Sequence, residues 1–148
     1  MIDEYRYQMV CDILEKCKKN DVKYDVQLFK AEKFKKIEEK DVYYGLLPYD
    51  ENVKRGIESN CILEIVRKDF IGFTQRYFEA IVFNKKLLSN NPAIKEMPYY
   101  NPDYMQYFEK VNDIDWEWVK EVDEVDYQYK GEFDPQNWED KIIKIIEE

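Results

Sequence analysis

The residues best suited to do chemistry are seven carboxylates that surround two tryptophans between positions 113 and 126, here called the acidic segment. Clustered carboxylates can act as acids and bases, bind a cation, or present a negative surface to a partner. Tryptophan is a frequent hot-spot residue in protein interfaces. The candidate binding residues are therefore Asp113, Asp115, Trp116, Glu117, Trp118, Glu121, Asp123, Glu124 and Asp126.

The net charge of the chain is concentrated in and after the acidic segment. Residues 1–112 contain 19 acidic and 19 basic side chains, so the whole net charge of −9 belongs to residues 113–148. A negative field repels nucleic acid phosphates and anionic membranes, and it attracts basic proteins. We therefore expect a protein partner with a basic surface, no direct contact with nucleic acid, and no association with membranes.

Most catalytic templates lack the residues that they require. The chain has no histidine, so the usual base of a serine or cysteine nucleophile is missing. Its four glycines are isolated, and neither a phosphate-binding loop nor a dinucleotide-binding fingerprint is present. Asp113, Asp115 and Glu117 alternate as in a calcium loop, but the glycine expected at the sixth position is absent. These observations predict a protein that is not an enzyme and that binds neither metal nor cofactor.

The cysteines and the terminal residues predict a cytoplasmic location. An odd and sparse set of three cysteines, Cys11, Cys17 and Cys61, does not build a disulfide framework and is typical of reduced thiols. The N-terminus lacks the apolar region of a signal peptide, and no apolar run approaches the ~20 residues of a membrane span. Lysine outnumbers arginine, and Ile, Asn and Tyr are plentiful, a bias that indicates an AT-rich genome such as that of a phage, a low-GC bacterium or a large virus.

The elements that must position the acidic segment follow from periodicity and capping. Apolar residues recur at helical spacing after Asp3, which predicts a helix over residues 3–19 that ends at Asn20. Residues 23–47 and 61–67 are typical of extended chain, with a turn at 48–52 between them. Residues 73–88 favour a helix, although 77–83 also fit a buried strand.

The last part of the chain combines short elements. Pro102 is predicted to begin a short helix. The acidic segment is predicted to be helical to about Val122, with Trp118 sharing a stripe with Ile114, and to continue as a strand to Lys130. Asp134 and Pro135 open a final helix. Its predicted apolar face is Trp138, Ile142, Ile145 and Ile146.

These elements predict a single compact globular domain over residues 1–148. The chain begins with a helix and its strands cluster in 23–67, which argues against regular βαβ alternation. The fold class expected is α+β, with terminal and central helices packed on a small, mainly antiparallel sheet.

The leading functional hypothesis is a small acidic cytosolic protein that binds and inhibits a basic protein, such as a toxin immunity protein or a phage-encoded inhibitor. Trp116 and Trp118 would be the anchors, and the carboxylates would supply electrostatic complementarity. Two alternatives stay open. One is a carboxylate- or metal-dependent enzyme, which needs a pocket that holds several acids. The other is a structural or assembly protein of a phage or low-GC bacterium.

Overall fold

A computed structural model describes residues 2–137 of the protein. Within that range the helices are α1 (Glu4–Lys19), α2 (Tyr49–Glu58), α3 (Gln75–Val82) and α4 (Trp116–Lys120), and residues 135–137 are also helical. The strands are β1 (Val26–Leu28), β2 (Val42–Tyr44), β3 (Cys61–Glu64), β4 (Lys86–Ser89) and β5 (Met105–Tyr107). Two 3-10 turns lie at Pro92–Glu96 and Val111–Asp113. None of the helices in this range is long and apolar enough to cross a membrane.

The N-terminal helix α1 forms as its sequence pattern predicts. The side chain of Asp3 accepts a hydrogen bond of 2.8 Å from the backbone N–H of Arg6, which satisfies one of the unpaired donors at the helix start. At the other end, the backbone and side-chain amides of Asn20 both donate to the carbonyl of Lys16. The apolar residues that recur at helical spacing are buried, so α1 packs against the core through one face.

All strand pairs in the described residues are parallel, so the expectation of a mainly antiparallel sheet is wrong. β1 pairs with β2 in one small sheet, and β3, β4 and β5 form a second sheet in that order. A hairpin cannot join parallel neighbours, which need a crossover connection. α3 is the crossover between β3 and β4. Helices and strands are mixed as expected, but this part of the chain does contain the βαβ order that the sequence pattern argued against.

The strand β4 overlaps the end of residues 73–88, for which the sequence favoured a helix. α3 is helical over the ambiguous residues and ends at Val82, and Asn84 then adopts a left-handed backbone with φ 51°. All four residues of β4 are buried, including Lys86 and Ser89. A central parallel strand is covered on both faces and does not show the alternation by which strands are usually recognised.

The three-stranded sheet lies between α1 and α3. Successive side chains of a strand point to opposite faces, so Leu87 packs in the core beneath α3 while Leu88 packs in the core beneath α1. The core on the α3 side contains Ile62, Tyr77, Ala80, Ile81, Leu87, Ile94, Met105 and Tyr127. The core on the α1 side contains Met9, Ile13, Cys17, Leu88, Phe108 and Ile114.

Three further expectations are corrected by the structure. The turn predicted at residues 48–52 is the start of α2. The short helix predicted after Pro102 is instead the strand β5. The strand predicted after Val122 does not form, and residues 121–130 have no regular structure. The apolar face predicted for the final helix begins at Trp138 and lies outside the described residues.

Candidate functional site

The seven carboxylates of the acidic segment are all exposed, but several of them have local partners. Asp115 caps α4 by accepting hydrogen bonds of 3.1 Å from the backbone N–H groups of Glu117 and Trp118. Asp113 accepts a hydrogen bond of 3.0 Å from the backbone N–H of Lys110. These carboxylates stabilise the turns in which they lie, as Asp side chains commonly do at helix starts.

The two tryptophans of the acidic segment pack inward. Both are half-buried against the core on the α1 side, together with Ile114. The indole N–H of Trp118 donates a hydrogen bond of 2.9 Å to the carbonyl of Asp103. Val122 is 75% exposed and does not join them. The main contacts of both indoles are therefore with the protein itself, which weakens their predicted role as anchors for a partner.

Lys86 of β4 connects the acidic segment to the sheet through hydrogen bonds and an ion pair. Its side chain is 1% exposed and Nζ donates hydrogen bonds to the carbonyls of Trp118 and Glu121, at 2.8 and 2.7 Å. Nζ also pairs with Oδ2 of Asp123 at 2.8 Å and lies 4.9 Å from the ring centroid of Trp118. A buried ammonium group requires such a complete set of acceptors. The segment thus closes over the start of β4.

A second group of polar residues, which the sequence analysis did not single out, lies at the carboxyl ends of β3 and β4. Glu64 is 2% exposed, and the hydroxyl groups of Thr74 and Ser89 donate to its two carboxylate oxygens. The backbone N–H of Asn91 donates to the hydroxyl oxygen of Ser89 at 2.9 Å. The buried side chains of Glu64 and Ser89 and the partly buried side chain of Thr74 therefore satisfy one another's hydrogen bonds.

Two asparagines attach the loop between β3 and α3 to this network. The side chain of Asn90 bonds both the N–H and the carbonyl of Val66, at 2.7 and 3.1 Å. The Nδ2 atom of Asn91 donates to the carbonyl of Gly72 at 3.0 Å. Loops between strands and helices usually have 2–6 residues, whereas this one covers residues 65–74. The contacts of Asn90 and Asn91 fix this long loop near both of its ends. Between them, the side chain of Ile71 is almost fully exposed.

The loop leads into the first turn of α3, and we call residues 64–79 the β3–α3 junction. Thr74 caps the helix by accepting a hydrogen bond from the backbone N–H of Arg76. The Arg76 guanidinium donates to Oε2 of Glu79 at 2.7 Å and to Oδ1 of Asn52 at 2.9 Å. The side chain of Glu79 is only 7% exposed, and its Oε1 has no hydrogen-bond partner. A buried oxygen without a donor carries a cost in free energy.

A second arginine lies near the β3–α3 junction. Arg55 of α2 donates to Oδ2 of Asp25 at 2.7 Å and to Oε1 of Gln27 at 3.1 Å. Burial and the nearby charge of Arg76 lower the pKa of Arg55 below its usual value. Both arginines line a cavity of about 950 Å³ between the two sheets. Each arginine also pairs with a carboxylate, Arg55 with Asp25 and Arg76 with Glu79.

No family model matches the chain, and no curated protein or solved structure matches it significantly. Among residues 2–137, no three cysteine, aspartate or glutamate side chains come together as a metal site would require.

The sequence contained weak signals for the β3–α3 junction. Thr74 at the start of an amphipathic run is typical of a helix cap, and the polar residues from Ser89 to Asn91 before Pro92 are typical of a helix stop. Neither signal shows that the two places meet. Their contact follows from the parallel pairing of β3 with β4, which brings the carboxyl ends of both strands to one edge.

Proposed function

We propose that the protein binds a phosphate-bearing small molecule with free hydroxyl groups, such as a sugar phosphate, at the β3–α3 junction. The observation that carries the proposal is the buried, unpaired Oε1 of Glu79 beside Arg76 in the first turns of α3. In open parallel sheets, ligands generally bind outside the carboxyl ends of the strands. The loop fixed by Glu64 lies at that place.

The two parts of such a ligand would contact different groups. The N–H groups at the start of α3 and the Arg76 guanidinium suit a phosphate, because a helix start carries a partial positive charge and arginine binds oxyanions through two parallel hydrogen bonds. Glu79 Oε1 suits a hydroxyl group, because an ionised carboxylate can only accept. Arg55 adds positive charge from the neighbouring helix α2.

Titration with ribose 5-phosphate, ribose and inorganic phosphate tests the proposal, with backbone amide chemical shifts as the readout. We expect ribose 5-phosphate to shift the amides of Gln75 and Arg76 and to bind more tightly than either fragment. Arg76→Lys keeps the charge but loses the paired hydrogen bonds, and Glu79→Gln loses an acceptor. Each loss of about 1.4 kcal/mol weakens binding tenfold.

The matched control is Lys54→Gln, which removes one positive charge from the exposed face of α2 and leaves α3 untouched. We expect it to change the affinity less than twofold. Two results would contradict the proposal. One is the absence of any shift with millimolar ribose 5-phosphate, and the other is an equal loss of affinity in Lys54→Gln and Arg76→Lys, which would indicate unspecific attraction of an anion.

A second candidate function is the inhibition of a basic protein through the acidic segment. The observation that favours it is the exposure of all seven carboxylates on one short stretch. Affinity capture from the native source at low and high salt, followed by mass spectrometry, is the first test. A basic partner that is lost at high salt supports this candidate, since screening weakens exposed charge pairs. An association rate that stays unchanged after four of the carboxylates are neutralised would contradict it.

A further inference from the structure

A surface on the smaller sheet combines exposed apolar side chains with lysines. Of the ten large hydrophobic side chains that are exposed within residues 2–137, six lie between positions 29 and 57, so they are concentrated around β1, β2 and α2. Five exposed lysines lie in residues 29–40 of the same region. We call the following residues the basic surface: Phe29, Lys30, Lys33, Lys35, Lys36, Tyr44 and Leu46.

The pairing of β1 with β2 brings two exposed apolar residues of the basic surface together. Leu28 lies opposite Tyr44 in the register, and its carbonyl accepts a hydrogen bond of 3.0 Å from the N–H of Gly45. Because the strands are parallel, Phe29 and Leu46, which follow them, leave the sheet at the same end. Their side chains are 42% and 81% exposed. An apolar patch therefore lies at the carboxyl end of this sheet.

The lysines of the basic surface lie around this patch. The N–H of Ile37 donates a hydrogen bond of 2.6 Å to the hydroxyl oxygen of Tyr44, which fixes the connection between β1 and β2 to the end of β2. Nζ of Lys36 is 5.9 Å from the ring centroid of Tyr44. Nζ of Lys30 is 5.2 Å from the ring centroid of Phe29. A lysine that lies over a ring packs its stem on apolar surface and keeps its charge in water.

The positive charge of the basic surface is not neutralised within one copy. Residues 29–40 contain five lysines and three glutamates, and none of these lysines forms an ion pair with a described residue. One of the glutamates, Glu39, pairs with Lys18 of α1. The five lysines and the two remaining glutamates leave a local excess of three positive charges. This excess attracts an anionic partner.

The chain itself carries a surface that matches the basic surface. The acidic segment has seven exposed carboxylates, and among them the side chain of Val122 is 75% exposed. An apolar residue flanked by acids thus corresponds to Phe29 and Leu46, which are flanked by lysines. No ion pair among residues 2–137 joins the two surfaces within one copy. Both surfaces are therefore available to another copy.

We propose that the basic surface of one copy binds the acidic segment of a second copy, with Val122 against Phe29 and Leu46. Complementary charges guide the two surfaces together and fix their orientation, while the exposed apolar side chains lose their contact with water. The contact joins two different surfaces, so it either closes into a ring or continues from copy to copy. It uses no residue of the β3–α3 junction and goes beyond the phosphate binding proposed there.

Salt should act on this association in two directions. Each copy has a net charge of −9, which opposes approach while long-range charges are unscreened. At physiological ionic strength the Debye length is about 8 Å, so mainly the charges in close contact remain effective. At about 1 M salt these charges are screened as well. We therefore expect the association to be strongest near physiological salt.

Sedimentation equilibrium of the nuclease-treated protein over a range of concentrations tests the proposal. We expect a mass above that of one copy, which rises with protein concentration near physiological salt. Lys33→Glu with Lys36→Glu reverses the charge of the basic surface. Glu121→Lys with Glu124→Lys does the same to the acidic segment. Each double variant should weaken the self-association about tenfold or more, because like charges then face each other.

A mixture of the two double variants provides the sharper test. It should regain the higher mass, because the unchanged basic surface of one variant meets the unchanged acidic segment of the other. The matched control is Lys68→Glu with Lys95→Glu, which has the same net charge as the basic double variant but changes exposed lysines outside both surfaces. It should change the affinity less than about twofold, since distant charges are screened.

Three outcomes would overturn the proposal. The first is the mass of one copy at every protein concentration near physiological salt. If oligothymidine then shifts the amides of Lys33 and Lys36, single-stranded nucleic acid is the occupant instead. The second is a mixture that does not regain the higher mass, or an equal loss of affinity in the control, which would indicate unspecific repulsion. The third is an association that survives both reversals and about 1 M salt, which would place the contact on another surface.

Discussion

The acidic segment and the β3–α3 junction use carboxylates in opposite ways. In the acidic segment seven carboxylates are exposed, and those with partners cap turns or pair with a lysine. At the junction two carboxylates, Glu64 and Glu79, are buried. Exposed ion pairs contribute roughly 0–1 kcal/mol, whereas an unsatisfied buried polar group costs several times more. The density of charge along the chain therefore does not locate the residues on which the fold depends.

One ion pair shows this contrast within a single contact. Lys86 is 1% exposed and Asp123 is 48% exposed, although their charged atoms are 2.8 Å apart. Water can replace Lys86 as a partner of Asp123, but no water reaches the place that Lys86 occupies. Removal of the lysine should therefore cost more than removal of the acid.

The largest loss of stability is expected from a substitution of Glu64, which accepts hydrogen bonds from Thr74 and Ser89. Glu64→Ala removes the acceptor of two hydroxyl groups, one of which belongs to the fully buried Ser89, and should lower the free energy of unfolding by about 3 kcal/mol. Glu64→Gln keeps the shape and one acceptor, so its loss should be smaller. Urea denaturation measures both. Equal and small losses would show that the network does not stabilise the junction.

The next largest loss of stability is expected for the ion pair between the buried Lys86 and the half-exposed Asp123. Lys86→Met leaves the carbonyls of Trp118 and Glu121 without their donor and should cost about 2 kcal/mol. Asp123→Asn should cost less than about 1 kcal/mol, because that partner is half exposed. Thermal unfolding of the two variants compares them directly. A larger loss in Asp123→Asn would reverse the proposed difference between the buried and the exposed partner.

The hydroxyl group of Tyr127 should contribute an intermediate amount to the free energy of unfolding, and this contribution should depend on pH. Its hydroxyl donates to the carbonyl of Lys85 at 3.0 Å, and burial, with smaller contributions from Cys61, Tyr77 and Tyr104, raises the pKa of Tyr127 above its ordinary 10. A raised pKa in the folded state favours the neutral form. The contribution of Tyr127 to stability is thus complete below pH 10, and it decreases as the pH rises above that value.

Tyr127→Phe separates the two contributions of this hydroxyl. At neutral pH the variant should lose about 1 kcal/mol with the hydrogen bond. Above pH 10 it should lose less stability per pH unit than the unchanged protein. Denaturant midpoints measured from pH 7 to pH 11 provide the comparison. Parallel pH profiles would mean that Tyr127 is accessible to water.

The smallest effect is expected in the acidic segment itself. Glu117, Glu121 and Glu124 are exposed, and none of their side chains caps a helix. Their joint replacement by glutamine should change the free energy of unfolding by less than about 0.5 kcal/mol. The same variant should associate more slowly with any basic partner. Glu117 pairs with the exposed Lys120 at 2.7 Å, so a large loss of stability would show that such an exposed pair stabilises the fold and would remove the contrast between the two regions.

Capping and periodicity were sufficient to predict an element whose ends are determined by residues close to it in the sequence. Asp3 and Asn20 delimit α1 because caps act within a few residues. The carboxylates of the acidic segment are exposed because charged groups usually stay in water, and this includes Asp123, whose partner Lys86 is buried. In the candidate site, Thr74 could be predicted as a cap, but neither Glu64 nor Glu79 could be distinguished from a surface acid.

The sequence by itself therefore determined α1, the mixture of helices and strands, and the place of the net charge. Only the tertiary structure decided that the strands are parallel, that Lys86 lies in a buried strand, and that Glu64 meets Ser89. The physical reason is the range of the interactions. Caps and helical periodicity act over a few residues, whereas strand pairing and the burial of a charge depend on partners distant in the chain.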